Sequence, residues 1–388
     1  MKGKRRLWSI ISMTVLTVAL ITSITVKERS SLLHDIDRGE DNDMVLSDSR
    51  NAHTRSSQEK EKIVTTYRKV LLFEGFRFDI PKFVRRDREG NYYVLDQNNH
   101  RICVFDPSEK FRFQIGRLGQ GPEDLNHPTG FVIGRDGRLY VRDADNLRIQ
   151  IFDQQGHRVA GFQSPLKTPS MAVNSHGEIF LNHPTKGHLI SVYSSEGELR
   201  RQFGDLISMS RAYPGYSDDE KYRRLLSRVM MDMDEEDNLY VAYLFAPIIQ
   251  KYDASGKLVW EQRLEGPFID FLTKIFWAEM KHRTGEKQKL RAPFTMSIDG
   301  VQMAVICKSI AVDRTTNRIF VLLGFADIIY VADGVTGRKI ELISQKKGEI
   351  GRGSLWTLTV NNGTLYGTRW ARARCYRLVV SSTDPQRR

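Results

Sequence analysis

Catalysis and metal binding both need a few polar side chains brought close together, and their spacing along a chain is the first clue to either. The chain has nine histidines in 388 residues. None falls in an H-x-H or H-E-x-x-H pair of the kind that holds zinc. His34 and His53 lie in a polar N-terminal stretch, and only His127, His183 and His188 fall near turns between strand-like runs. The polar residues on runs that read as inner strands are Arg85, Arg86, Arg135, Asn174, Asp232, Asp234 and Asp313. Asp232 and Asp234 would share one face of a strand. That is part of what a calcium site of oxygen ligands needs, but acidic residues also open turns. The three cysteines, Cys103, Cys307 and Cys375, each sit in or beside a strand-like run. They read as small buried hydrophobes, with at least one thiol free or paired between chains. No nucleophile elbow, P-loop or dinucleotide fingerprint occurs. The glycine-rich run Gly116-Arg117-Leu118-Gly119-Gln120-Gly121-Pro122 leads into proline and not into a helix, which argues against a phosphate cradle. These residues therefore predict no catalytic group, no metal ligand set and no cofactor.

The elements that would position such side chains repeat. A turn residue (Gly, Asp or Asn) precedes a short run ending in an aromatic and a small or β-branched residue. The copies are Gly90–Val94, Gly137–Val141, Gly177–Leu181, Asp237–Val241, Asn317–Val321 and Gly363–Gly367. Each is preceded by a short apolar strand, such as Gly130–Ile133 or Ser309–Val312, and followed by another strand ending in an aromatic or aliphatic residue. In the clearest copies a turn and a fourth strand come next, as in Asp253-Ala254-Ser255-Gly256 leading to Lys257–Arg263. Four strands alternating with period two, repeated roughly every 40–45 residues, is the pattern of a β-propeller blade. Six copies predict six blades. The sixth runs out near Val380 with three strands, and the strand-like run Ile63–Phe73 has no blade of its own. Pairing the two would close the ring and remove an exposed edge.

Two segments closely resemble the signature of NHL repeats. They are Asp96-Gln97-Asn98-Asn99-His100-Arg101-Ile102-Cys103-Val104-Phe105-Asp106 and Asp143-Ala144-Asp145-Asn146-Leu147-Arg148-Ile149-Gln150-Ile151-Phe152-Asp153. His127-Pro128-Thr129-Gly130 looks like the start of an NHL inner strand. The resemblance is strong over residues 80–168 and fades to strand rhythm in blades four to six. It implies a six-bladed propeller used mainly as a recognition platform for protein or RNA. It also implies the competing reading, a metal-dependent lyase or lactonase on the same fold, which would need calcium or zinc. Asp96, Asn98, His100 and Arg101 of the first copy, with Asp143, Asn146 and Arg148 of the second, read as a structural clamp on a turn. The residue after each second-strand anchor is, in blade order, Asp96, Asp143, His183, Tyr243, Leu323 and Arg369. Drift away from Asp on that face would build a polar binding site, with Arg142, His183, His188, Arg369 and Trp370 as its members.

The remaining signals concern placement. Lys2, Lys4, Arg5 and Arg6 precede the uncharged run Leu7–Val26, long enough to cross a bilayer as a helix. This predicts a signal anchor over residues 1–26, uncleaved, with the chain beyond it on the periplasmic or extracellular side; a cleaved, secreted form is the alternative. Residues 27–62 read as a flexible polar spacer. Residues 63–388 form the propeller, with 63–75 as closing strand and insertions at 206–226 and 267–303. The second insertion carries Phe268, Ile269, Phe271, Leu272, Ile275, Phe276 and Met280 at near-helical spacing. The expected fold is thus an all-β, six-bladed, NHL-like β-propeller with an N-terminal transmembrane helix and a short helical insertion between blades four and five. The net charge of +12 points to acidic partners. The expected role is a membrane-anchored binding or scaffold module for a protein or an anionic envelope component. The cluster Arg369-Trp370-Ala371-Arg372-Ala373-Arg374 mixes cations and an aromatic as RNA platforms do, but the anchor would keep it from nucleic acid.

Overall fold

The computed structural model describes residues 65–164, 170–184, 187–214, 218–270, 272–273, 295–298, 301–324, 327–345, 355–369 and 372–382. The expected anchor and spacer lie outside the described residues, as do Trp370 and most of the expected helical insertion. No helix among the described residues is long and apolar enough to cross a membrane.

Blades one to four are separate four-stranded antiparallel sheets. They begin at Pro81–Arg86, Pro128–Ile133, Met171–Val173 and Val229–Met233. Blades five and six begin at Cys307–Asp313 and Thr357–Asn361. Consecutive first strands are neighbours all the way round, and the first strand of blade one meets that of blade six. That is a closed ring. Its central cavity takes residues from every blade, among them Phe83, Phe131, Met171, Met231, Ile310 and Leu358.

Burial explains the sequence of each blade. The second strands Tyr92–Asp96, Leu139–Asp143 and Leu239–Tyr243 are buried at every position, because both faces pack against neighbouring blades. The fourth strands, such as Phe111–Ile115 and Leu258–Arg263, lie at the rim and are mostly exposed or half-buried. The turn residue of the repeat also has a cause. Gly90, Gly137, Gly177, Asp237, Asn317 and Gly363 all have φ between 51° and 87°. Only Gly, Asn and Asp reach that left-handed region at low cost.

Ring closure uses the N-terminal part of the described chain. Thr65–Leu71 lies antiparallel against Arg374–Ser382, with Thr65 opposite Ser382 and Leu71 opposite Tyr376. It therefore supplies the fourth strand of blade six. It also pairs in parallel with Lys339–Gln345 of blade five, joining two blades into one eight-stranded sheet. Asp327 of blade five fastens this seam. Its carboxylate binds Lys69 of the closing strand at 2.6 Å and the amide of Leu355 of blade six, and its carbonyl accepts from Tyr67 at 3.0 Å.

The first insertion forms two short helices, Met209–Ala212 and Glu220–Leu226. Ser208 caps the first by accepting the Arg211 amide at 3.2 Å. Met209, Ala212, Leu225 and Leu226 enter the main core. Of the second insertion, residues 267–270 are helical, Ile269 and Leu272 join the same core, and a hairpin of Thr295–Ile298 with Val301–Ala304 follows.

Candidate functional site

The two ends of the channel differ in chemistry. At the end where first strands turn into second strands, blade four collects its neighbours. Arg135 of blade two donates to the Asp234 carbonyl at 3.1 Å and lies 3.6 Å from Glu235 and 3.4 Å from Asp237. Arg314 of blade five lies 3.4 Å from Glu235 and donates to the Met233 carbonyl at 3.2 Å. Ser175 of blade three donates to Asp237 at 2.5 Å. Blades two and four are not adjacent, so these ties cross the end of the channel.

The inner strands leave backbone groups facing the next blade, and side chains satisfy them. Arg85 Nε donates to the Phe131 carbonyl at 2.9 Å. Ser170 Oγ accepts from Met231 N at 2.8 Å, and Asp232 accepts from Val312 N at 2.9 Å. Ser309 donates to the Leu358 carbonyl at 3.0 Å, and Thr359 to the Val84 carbonyl at 2.5 Å. Asp232 and Asp234, flagged by their spacing, are thus engaged by the fold. Asp232 also takes the Met233 amide, while Asp234 takes the Glu236 and Asn238 amides and the Tyr240 hydroxyl. Among the described residues no group of three or more His, Cys, Asp or Glu is placed to hold a metal ion.

The opposite end, where second strands finish, is cationic. Arg142 is the fourth residue of its strand, buried, and lines the cavity opposite Gly130. Burial pushes its guanidinium down to about 10. Lys82, beside the start of blade one, is pulled down to about 8, first by burial and then by the charge of Arg142. Arg142 is buried there and Lys82 is half-buried. Arg369 ends the second strand of blade six and is buried. His183 is buried at the equivalent place in blade three, while His188 is exposed in the loop beyond it. Of the five expected binding residues, His183 and Arg369 occupy equivalent second-strand ends, while Arg142 lies one residue earlier in its strand and lines the channel. His188 stands out from them in its loop. Spacing missed Lys82. The signal was present in Pro81-Lys82-Phe83, a cation inside an otherwise apolar strand start.

The repeat motif builds a clamp, though not only on its own turn. Asp143 accepts from Arg148 Nε at 2.7 Å, Asn146 Nδ2 at 2.8 Å and the amide of Asn126 at 2.6 Å. Asn126 lies in the loop that enters the blade, so the carboxylate pins an inter-blade connection. Arg148 continues this by donating to the carbonyls of Gln120, Gly121 and Asp124, which orders the glycine-rich run. Asp96 repeats the arrangement with Arg101 at 3.0 Å and the Asp79 amide at 2.6 Å. Its amide partner is Asn99, at 2.8 Å. Asn98 lies one position off and reaches Asp79 instead. His100 Nδ1 accepts the His127 amide at 2.9 Å, so this histidine links blades one and two.

Comparisons with known proteins agree on the fold. A family model described as a 6-bladed beta-propeller matches residues 84–173. A crystal structure of a protein from Bacteroides fragilis NCTC 9343 superposes with a TM-score of 0.54 at 13% identity, covering 83% of this chain and 96% of that one. Virginiamycin B lyase from Staphylococcus aureus gives a TM-score of 0.47 at 10% identity, over 81% of this chain and 99% of that one. By sequence, residues of the Drosophila melanogaster "Protein brain tumor" are 26% identical over 136 positions. That match covers 35% of this chain and only 9% of the relative's own length. The chain is therefore an all-β propeller, with six blades set around one channel.

Proposed function

We propose that this chain is a binding module, held at a membrane by residues 7–26 with the propeller on the extracytoplasmic side. Its partner is a protein or an anionic component of the envelope. Contact is made at the channel end where the second strands finish. One observation carries this reading: the buried Arg142 guanidinium shares that end with Lys82, and its charge adds to burial in lowering Lys82. Crowded, desolvated like charges cost stability, and proteins keep such conflicts where function uses them.

The test is a charge reversal at the mouth. Complexes from gently solubilised cells would be isolated with the intact chain and with Lys82→Glu, Arg369→Glu and the rim control Arg158→Glu. Loss of one defined partner with the first two and its retention with the third is expected. Equal recovery with all variants, or no partner at all, contradicts the reading. Fractionation tests the attachment: the full chain should resist alkaline extraction from membranes, and full release would contradict the anchor.

A further inference from the structure

Blade six differs from the rest of the ring in charge. Its strands lie within residues 65–71 and 355–382, which contain Arg68, Lys69, Arg369, Arg372, Arg374 and Arg377 and no Asp or Glu. Each of the other five blades carries at least three acids between the start of its first strand and the end of its last. Lys69 is buried against Asp327 of blade five. Arg68, Arg372, Arg374 and Arg377 are exposed, and no ion pair among the described residues engages them. Like charges gathered on one element repel one another, a cost that interspersed acids would remove.

The cations surround the blade. Arg68 lies opposite Val379 and Arg377 opposite Val70, so strand alternation sets both arginines on one face of the sheet. Arg374 falls on the other face, and Arg372 sits in the loop before it. Exposed Leu71, opposite Tyr376, and exposed Val380 share that second face. Positive charge thus spreads over both faces and a loop. That layout suits a broad anionic plane better than a small ligand, and exposed aliphatics beside it suit the boundary of a bilayer. Connectivity favours a membrane over a soluble polyanion. Thr65, where the residues after the polar spacer enter the fold, belongs to this blade. Blade six is therefore the blade that the proposed anchor leads into.

We propose that blade six rests on anionic phospholipid headgroups, with Arg68, Arg372, Arg374 and Arg377 as the contacts. This rests on the membrane attachment proposed above and adds the surface that meets the lipid.

The full chain would be reconstituted in phosphatidylcholine vesicles with and without phosphatidylglycerol. It would carry an environment-sensitive fluorophore on Leu71→Cys or, across the ring in blade three, on exposed Leu199→Cys. Cys103, Cys307 and Cys375 are buried and would not take the label. Phosphatidylglycerol should roughly double the emission at position 71 and leave position 199 unchanged, and high salt should abolish the rise. Combining Arg372→Gln, Arg374→Gln and Arg377→Gln should remove the rise with the unfolding midpoint kept. The same charge loss at exposed Arg138, Arg158 and Arg200 should not. Flotation separates the two readings. A chain that does not float with phosphatidylcholine vesicles defeats the attachment and this proposal with it. A chain that floats without a rise at position 71 overturns this proposal alone. An equal rise at position 199, a rise undiminished in the triple variant, or an equal rise when poly-glutamate replaces phosphatidylglycerol, which would point to an acidic protein, would each overturn it as well.

Discussion

Asp143 shows how much one side chain can hold. It is fully buried and receives Arg148, Asn146 and the Asn126 amide. Asp143→Ala would leave Arg148 without its counter-charge and the Arg148 Nε–H and the Asn126 amide without their acceptor. We expect a loss of about 3–5 kcal/mol in denaturant unfolding, by the rule for removing one partner of a buried ion pair. Surface Asp153→Ala should cost far less, because its carboxylate caps a solvent-exposed turn. The cationic residues make a pH prediction. Burial holds Lys82 and Lys308 at about 8, below their ordinary 10.5, with Arg142 adding to the shift at Lys82 and Asp327 opposing it at Lys308. Above pH 8 the folded chain sheds these protons while the unfolded chain keeps them, so the lysines make stability rise with pH. From about pH 9 the trend reverses, because Cys103, Cys307 and Cys375 are held above their ordinary 9.0 by burial and the unfolded state loses those protons first; buried Tyr213 and Tyr243 add to the fall. Between pH 7.5 and 8.5 the unfolding midpoint of the wild type should climb relative to that of Lys82→Met. Parallel profiles of the two over that range would contradict the assignment.

At the scale of elements, the closing strand matters most. Thr65–Leu71 covers the edges of both Arg374–Ser382 and Lys339–Gln345. Deleting residues 61–71 would expose both edges to pairing with other chains, and light scattering should show association. Asp327→Ala should act on the same seam by removing the carboxylate from Lys69, whose side chain is 1% exposed and keeps the neutral acceptor Gln345 at 3.0 Å. Thermal unfolding should then lose about 3 kcal/mol or more, on the same buried-pair rule. Hydrogen exchange should rise first in Thr65–Leu71. Exchange that rises uniformly instead would argue against a local latch. This element was legible in the sequence because an unpaired apolar run and a three-stranded last copy need each other. The Asp–Arg clamp was legible too, since its residues recur at one position of the repeat. Its reach was not, because the loop it pins lies 17 residues back along the chain. Asn98 was read where Asn99 acts, although the second copy, with Asn146 three residues after Asp143, points to Asn99.

On the scale of the whole molecule, the six-fold rhythm could be read because every blade obeys the same burial rule and the same left-handed turn. The channel could not. Arg85, Gly130, Arg142 and Asp232 come from blades one, two and four, and only ring closure brings them around one space. Local spacing carries no trace of such a juxtaposition. The expected anchor at residues 7–26 bears on where the protein works, and its test is the membrane fractionation given above. The central claim is that the cationic end of the channel is the face that meets a partner. It is tested most directly by photo-crosslinking in intact cells. A photoreactive residue at exposed position 188 or 372, both in loops at that end, would be compared with one at exposed position 89 in a turn at the other end. We predict a single crosslinked species from 188 and 372 that is absent from 89 and lost on Lys82→Glu. The same species from position 89, or none from either loop, would contradict the claim.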